Sequence, residues 1–157
     1  MKIEVGGGRL CPQGFTNLDP IHGEGAFKRR AQDGRWPADD NTVERVGASH
    51  VMEHIPAGDE RLFVLNEAWR VLQPGAVLEI EVPVLKTMGL PPDAGIVSWE
   101  SLADPTHVSF WVYESFLYLI EGGWAANAQY DLRLWRRDSI DTYRENGSIA
   151  HIELIKP

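Results

Sequence analysis

Cysteine is almost missing from this chain: Cys11 is the only one in 157 residues. A lone thiol closes no intrachain disulfide and builds no thiolate cage around a metal. Long apolar runs are missing too. The most apolar stretch, Val108 to Ile120, is interrupted by Glu114 and is too short to span a bilayer. The start of the chain, Lys2-Ile3-Glu4-Val5, is too short and too charged for a secretory leader. Positive charge is in deficit, with 15 Lys and Arg against 23 Asp and Glu, a net −8. An acidic surface disfavours a phosphate backbone as partner. The basic clusters Lys28-Arg29-Arg30 and Arg133 to Arg137 read as solvated faces. No repeat or low-complexity segment stands out. These absences make a soluble, cytoplasmic protein with no membrane span the expectation, with nucleic acid disfavoured as a partner.

What is present is enough for a core, since 43% of residues are hydrophobic. The length predicts a single domain over 1–157. The stretch from Val43 to Val82 says most about its class. It reads as a strand, a polar loop, a helix, a Pro74-Gly75 break and a second strand, which is a βαβ unit. In open α/β sheets the loops past strand carboxyl ends bind ligands. With Gly6-Gly7-Gly8 near the N-terminus, this points to a nucleotide-type cofactor.

The remaining pattern predicts short strands at Ile3 to Val5, Phe15 to Leu18, Ala26 to Ala31 and Val43 to Ala48. Too few residues separate the first two strands for a helical crossover, so a loop replaces the helix. Asp59 is placed as the cap of a helix running to about Leu72, with Leu62, Leu65, Trp69 and Leu72 on one face. Ala76 to Val82 is the fifth strand. Pro83 to His107 (83–112 at its widest) reads as a covering loop over an active site. Tyr113 to Glu121 reads as a helix stopped by Gly122-Gly123. Tyr130 to Arg137 and Ser148 to Lys156 read as a closing strand pair with Asn146-Gly147 as a turn signal. The fold class is α/β, a mostly parallel sheet with a C-terminal antiparallel pair and few helices on one face.

Three acidic groups end successive strands. Glu4 stands just before the glycine run and suits a ligand's charged amine beside a tight turn. Asp19 can accept hydrogen bonds from both hydroxyls of a ribose. Asp33, followed by Gly34, could meet an adenine amino group. Each alone is also an ordinary turn residue, and the series is better evidence than any member. His107 is either a plain loop histidine or a base that takes a proton from a hydroxyl or amine.

The ordered motifs resemble the S-adenosylmethionine-dependent methyltransferases of the Rossmann-like class, in a small branch related to the type 11 enzymes. The carriers are Ile3-Glu4-Val5-Gly6-Gly7-Gly8 followed by Asn17-Leu18-Asp19, then Trp36 to Val43, then Ala48-Ser49-His50-Val51-Met52-Glu53-His54. Glu67 to Gly75 and Asp104-Pro105-Thr106-His107 with Phe110 to Phe116 complete the set. The resemblance implies S-adenosyl-L-methionine as cofactor. Glu4, Gly6, Gly7 and Gly8 would line its methionine end and Asp19 its ribose. Asp33 and Gly34 would sit at its adenine, with Ser49 and His50 near the sulfonium and the substrate mouth. It implies methyl transfer to a small-molecule or glycan-like oxygen or nitrogen, with His107 or His50 as general base. The alternatives are methylation of nucleic acid or protein, and a truncated domain that binds the cofactor without turnover. The chain departs from the family's pattern in lacking the early helices, and Val112-Tyr113 replaces the usual Thr-Pro before Glu114.

His50-Val51-Met52-Glu53-His54 also fits the inverted zinc-protease pattern H-x-x-E-H, with His22, His107 or Glu24 as a possible third ligand. The expectation here is no metal, because a buried-looking strand precedes the stretch and Pro56 ends any helix early. Finally, missing crossover helices would leave one sheet face apolar and wet. A homodimer, or the 83–111 segment folded back, is expected to cover it.

Overall fold

The computed structural model describes residues 1–85, 103–124, 131–146 and 148–157. Six strands make one sheet: β1 Lys2–Val5, β2 Thr16–Leu18, β3 Val43–Ser49, β4 Leu72–Pro83, β5 Arg144–Asn146 and β6 Ile149–Ile155. Their spatial order is β2-β1-β3-β4-β6-β5. The first four run parallel, and β6 is antiparallel to both β4 and β5. The mostly parallel sheet with an antiparallel C-terminal pair is as the sequence predicts. Two α-helices lie among the described residues, α1 Asp59–Val71 and α2 Tyr113–Leu117.

The alternation along β4 and β6 decides where the core sits. Leu78 pairs with Leu154, Ile80 with Ile152 and Val82 with Ala150, all buried on one face. Val46 and Ala48 of β3 and Ile3 and Val5 of β1 extend that layer, and α1 adds Val64, Leu65, Ala68 and Val71 to the same cluster. Each large side chain so buried contributes roughly 1.5–3 kcal/mol. The opposite face carries the intervening residues, polar at its centre with Glu79, Glu81, His151 and Glu153, while Val77 lies opposite Ile155 and Pro83 opposite Ile149 towards its ends. Arg45 bridges Glu79 at 2.6 Å and Glu153 at 3.2 Å, while His151 meets Glu79 at 2.8 Å. The expected apolar, wet face is therefore not there. Charged side chains at its centre solvate it, which weakens the argument that a second copy must cover it.

Five local expectations are corrected. Ala26 to Ala31 is no strand: Gly25–Phe27 forms a 3₁₀ turn whose carbonyls are used locally, by Lys28 N–H on Gly25 and by Asp19 and Arg29 N–H on Phe27. Asp59 is not a cap. Gly58, at φ +97°, takes that position, and Asp59 stands in the first turn where its charge suits the helix dipole. The helix ends at Val71, and Pro74-Gly75 instead bulges within β4, where pairing jumps from Val43–Leu72 to Arg45–Val77. Helix α2 stops at Leu117 because the next backbone groups serve Trp135: its N–H reaches Leu119 and its carbonyl takes Glu121 N–H. That same use of Trp135 removes Tyr130 to Arg137 from the closing pair. The tight turn pairs its immediate flank, with Asn146 opposite Ile149. Most of the expected covering loop, residues 86–102, lies outside the described residues. Its flanks meet where Val84 bridges Trp111.

One buried ion pair ties α1 to the loop before β3. Glu67 accepts Trp36 N–H at 2.7 Å and holds Arg70 through both oxygens at 2.8 Å, while Arg70 reaches the Ala38 carbonyl and Asp40. Burial pushes the Glu67 carboxyl up, but the Arg70 guanidinium and the Trp36 amide more than reverse this, so its pKa lies below the ordinary range. A carboxylate lowered in the folded state stabilises above its unfolded pKa, about 4.3, and loses that contribution as pH falls through the folded value. Glu67→Ala should cost roughly 3 kcal/mol, because it strands both a guanidinium and an amide. Urea unfolding at neutral pH measures the loss, and the gap between parent and variant should narrow below about pH 4.

Candidate active site

The carboxyl ends of β1, β2 and β3 open on one edge of the sheet. The chain leaves β1 to one side and returns past it to β3, so this edge holds a topological switch point. Gly6 and Gly8 follow β1 at φ +63° and +53°, a region that favours glycine. A Cβ on Gly6 would also lie 2.6 Å from Val51. The loop is fastened to β2 by side chains: Gly7 N–H donates to Asn17 at 3.1 Å, Gly8 N–H to Asp19 at 3.2 Å, and the Asn17 amide to the Gly8 carbonyl at 2.9 Å.

Asp19 is buried and already engaged. Its Oδ1 accepts Ile21 N–H at 2.8 Å and His22 N–H at 2.7 Å, and its Oδ2 accepts Gly8 N–H. Burial raises its pKa, but the three amides outweigh burial and hold it below the usual carboxylate range. Two acceptor positions per oxygen leave Oδ2 room for one further donor. The two hydroxyls expected from the sequence would have to share it. Turn residue and candidate ligand are here one residue.

Glu4 is also buried, and its carboxylate lies across Gly47 of β3. A Cβ at Gly47 would sit 2.0 Å from Glu4 Oε2. Burial lifts the Glu4 carboxyl above its ordinary value, the Ser49 backbone amide draws it back, and Glu79 on the same face raises it further. Ser49 ends β3 exposed. Thus Glu4, Gly6 to Gly8, Asp19 and Ser49 come together, joined by Gly47, which sequence reasoning missed. Its signal was there: a glycine within a strand marks close approach by another group.

Asp33 and Gly34 stand apart in an exposed turn, with Asp33 N–H on the Arg30 carbonyl and Gly34 at φ +116°. Their neighbours Arg30, Ala31 and Gln32 instead line a cavity of about 250 Å³ with Gly6, Leu18 and His54. No sequence pattern marks Gln32, because a loop alone places it.

His50 adopts φ +52°, uncommon for a residue with a side chain. Its Nδ1 lies 3.4 Å from Glu53 and its Nε2 3.4 Å from Glu81. His107 approaches the same Glu53 Oε1, at 3.9 Å through Nε2. The two histidines singled out as bases therefore flank one buried carboxylate. The H-x-x-E-H segment is not one α-helix: Met52–His54 is a 3₁₀ turn, and His50 precedes it.

No protein-family model matches the chain, and no curated protein matches its sequence. Solved structures do. An S-adenosylmethionine-dependent methyltransferase of Thermotoga maritima, described as a possible histamine N-methyltransferase, aligns with 99% of this chain and 82% of its own. The TM-score is 0.50 at 13% identity. The complex of the Haloferax volcanii Trm112 methyltransferase activator with a methyltransferase gives 0.49 at 12% identity, over 99% and 82%. An Aquifex aeolicus methyltransferase gives 0.43 at 22% identity, over 82% and 53%. The Thermotoga alignment shows a shared fold.

Asp19→Ala should leave three backbone amides without their acceptor and cost about 1–3 kcal/mol of stability. Asp19→Asn, which keeps an acceptor oxygen, should recover part of that loss in the same denaturant titration.

Proposed function

We propose that this chain, which has the fold of the class I S-adenosylmethionine-dependent methyltransferases, binds S-adenosylmethionine at the switch-point edge. There it would transfer the methyl group to a small-molecule or glycan-like oxygen or nitrogen. The observation that carries this reading is the convergence of Glu4, the Gly6–Gly8 loop, Asp19 and Ser49 on the ends of three adjacent parallel strands.

The residues fit the group. Glu4 is a desolvated carboxylate whose charge a cationic amine would stabilise. The glycine loop offers backbone with no side chain in the way, and Asp19 Oδ2 can take a hydroxyl. The cofactor supplies a methyl group on a sulfonium, already a good leaving group. The protein's share is alignment and exclusion of water. His50, half exposed at the end of β3, is placed to take a proton from a hydroxyl acceptor, and Glu53 would stabilise the imidazolium that results. His107, nearly enclosed, is the alternative base. The net charge of −8 argues against a nucleic-acid acceptor.

A second reading is a domain that binds the cofactor without turning it over. Among the described residues, the connections from β1 to β2 and from β2 to β3 hold only 3₁₀ turns where helices would shape an acceptor pocket. Cofactor affinity with no methyl transfer across a broad acceptor panel would favour it.

Calorimetry with S-adenosylhomocysteine should show one site per chain, and no heat together with no thermal shift at millimolar ligand would sink the reading. Gly47→Ala should displace the Glu4 carboxylate and weaken that binding roughly tenfold or more while leaving the fold standing. Acidification should weaken it as well. The Glu4 pKa is raised, so its charge is lost at a higher pH than that of an ordinary glutamate.

A further inference from the structure

Glu53 poses a physical problem that methyl transfer does not solve. It is 1% exposed, and neither of its carboxylate oxygens accepts a hydrogen bond among the described residues. His50 Nδ1 at 3.4 Å and His107 Nε2 at 3.9 Å are near enough for charge to be felt but form no hydrogen bond with it. A buried carboxylate without donors is costly unless a cation answers it. Beside it stand two imidazoles, one from the next residue and one from a distant loop: one ligand atom each from Glu53, His54 and His107 lies within 4.8 Å of the others.

We propose that Glu53, His54 and His107 form a site for a borderline divalent metal, zinc before others. Two imidazoles and one carboxylate are the donor set such ions take. Ligands on a tetrahedral zinc stand about 3.4 Å apart, so the set closes by little more than 1 Å on binding.

The surroundings are those of a metal histidine. His54 Nδ1 faces two oxygens of Thr106, the carbonyl at 3.2 Å and the hydroxyl at 3.1 Å. A carbonyl only accepts, so Nδ1 carries the proton and Nε2 keeps its lone pair for a metal. A ligating histidine fixed through its other nitrogen is the usual arrangement. The Thr106 hydroxyl donates in turn to Asp104 at 2.6 Å, and Asp104 Oδ2 stands 3.7 Å from His107 Nε2 as a further carboxylate. The loop bearing His107 is sewn down, since Val108 and Ser109 N–H both donate to the Glu53 carbonyl.

This differs from the H-x-x-E-H reading of the sequence. His50 stands outside the set, and His107 arrives from beyond β4. Three protein ligands leave a position for water or an acceptor oxygen. His54 also lines the cavity at the strand ends, so that position borders the candidate cofactor site. The site rests on this side-chain geometry and not on the methyl-transfer reading, and with a metal bound His107 would be a ligand, leaving His50 as the candidate base.

The test is calorimetry of the full chain, stripped with chelator, against zinc chloride, with magnesium chloride as a second titrant. One zinc per chain is expected, with no magnesium heat. Glu53→Gln and His54→Ala should each weaken zinc at least about tenfold, while His22→Ala leaves it unchanged. Cobalt titrated into the unmutated chain gives an arm independent of variant folding. Strong visible absorption of a four-coordinate ion supports the site, and only the weak spectrum of the hydrated ion overturns it. Zinc binding that survives both ligand variants, or no stoichiometric binding, also overturns it. Zinc binding without S-adenosylhomocysteine binding would uphold this site while the cofactor reading falls.

Discussion

A mostly parallel sheet with few helices among its described residues must itself become two-faced, and this constraint shapes the rest of the molecule. Strands buried on both sides read as continuous apolar runs. Here β4 and β6 alternate instead, with Leu78, Ile80 and Val82 inward and Glu79 and Glu81 outward. Arg45, Glu79, Glu153 and His151 then pair with one another in a row across three strands. Solvation of that face does what a second helical layer would do elsewhere. On the same face Glu4 lies against Gly47, which has no side chain to compete for the space.

Because loops replace crossover helices, side chains must satisfy the backbone groups that a helix would have paired internally. Asn17 and Asp19 hold the glycine loop, and Glu67 with Arg70 holds the segment from Trp36 to Asp40. Structural and ligand-facing duties thus fall on the same carboxylates. Asp19 spends three acceptor positions on its own turn before any ligand arrives. Glu53 is the opposite case, a buried carboxylate whose oxygens accept no hydrogen bond among the described residues.

Much of this was legible in the sequence, for local reasons. Period-two alternation gave β4 and β6, the Asn146-Gly147 turn gave the last hairpin, and the acidic strand ends marked the switch-point edge. Failures came wherever a distant backbone claimed a segment. Trp135 bonds to residues 119 and 121, shortening α2 and displacing the expected strand at 130–137. The apolar face was inferred by counting missing helices, although Glu79, Glu81, Glu153 and Arg45 were already written at alternate positions. Gln32 and the meeting of His54 with His107 depend on loop paths, which no periodicity encodes.

The two outermost strands, β2 and β5, are each three residues long. Few unpaired amides and carbonyls are therefore displayed along either rim. An extended peptide gains affinity from a sheet by continuing its ladder, and a rim this short offers it little to continue. It likewise offers little template for the fibrillar stacking of like chains. Among the described residues the sheet therefore ends laterally in two short rims.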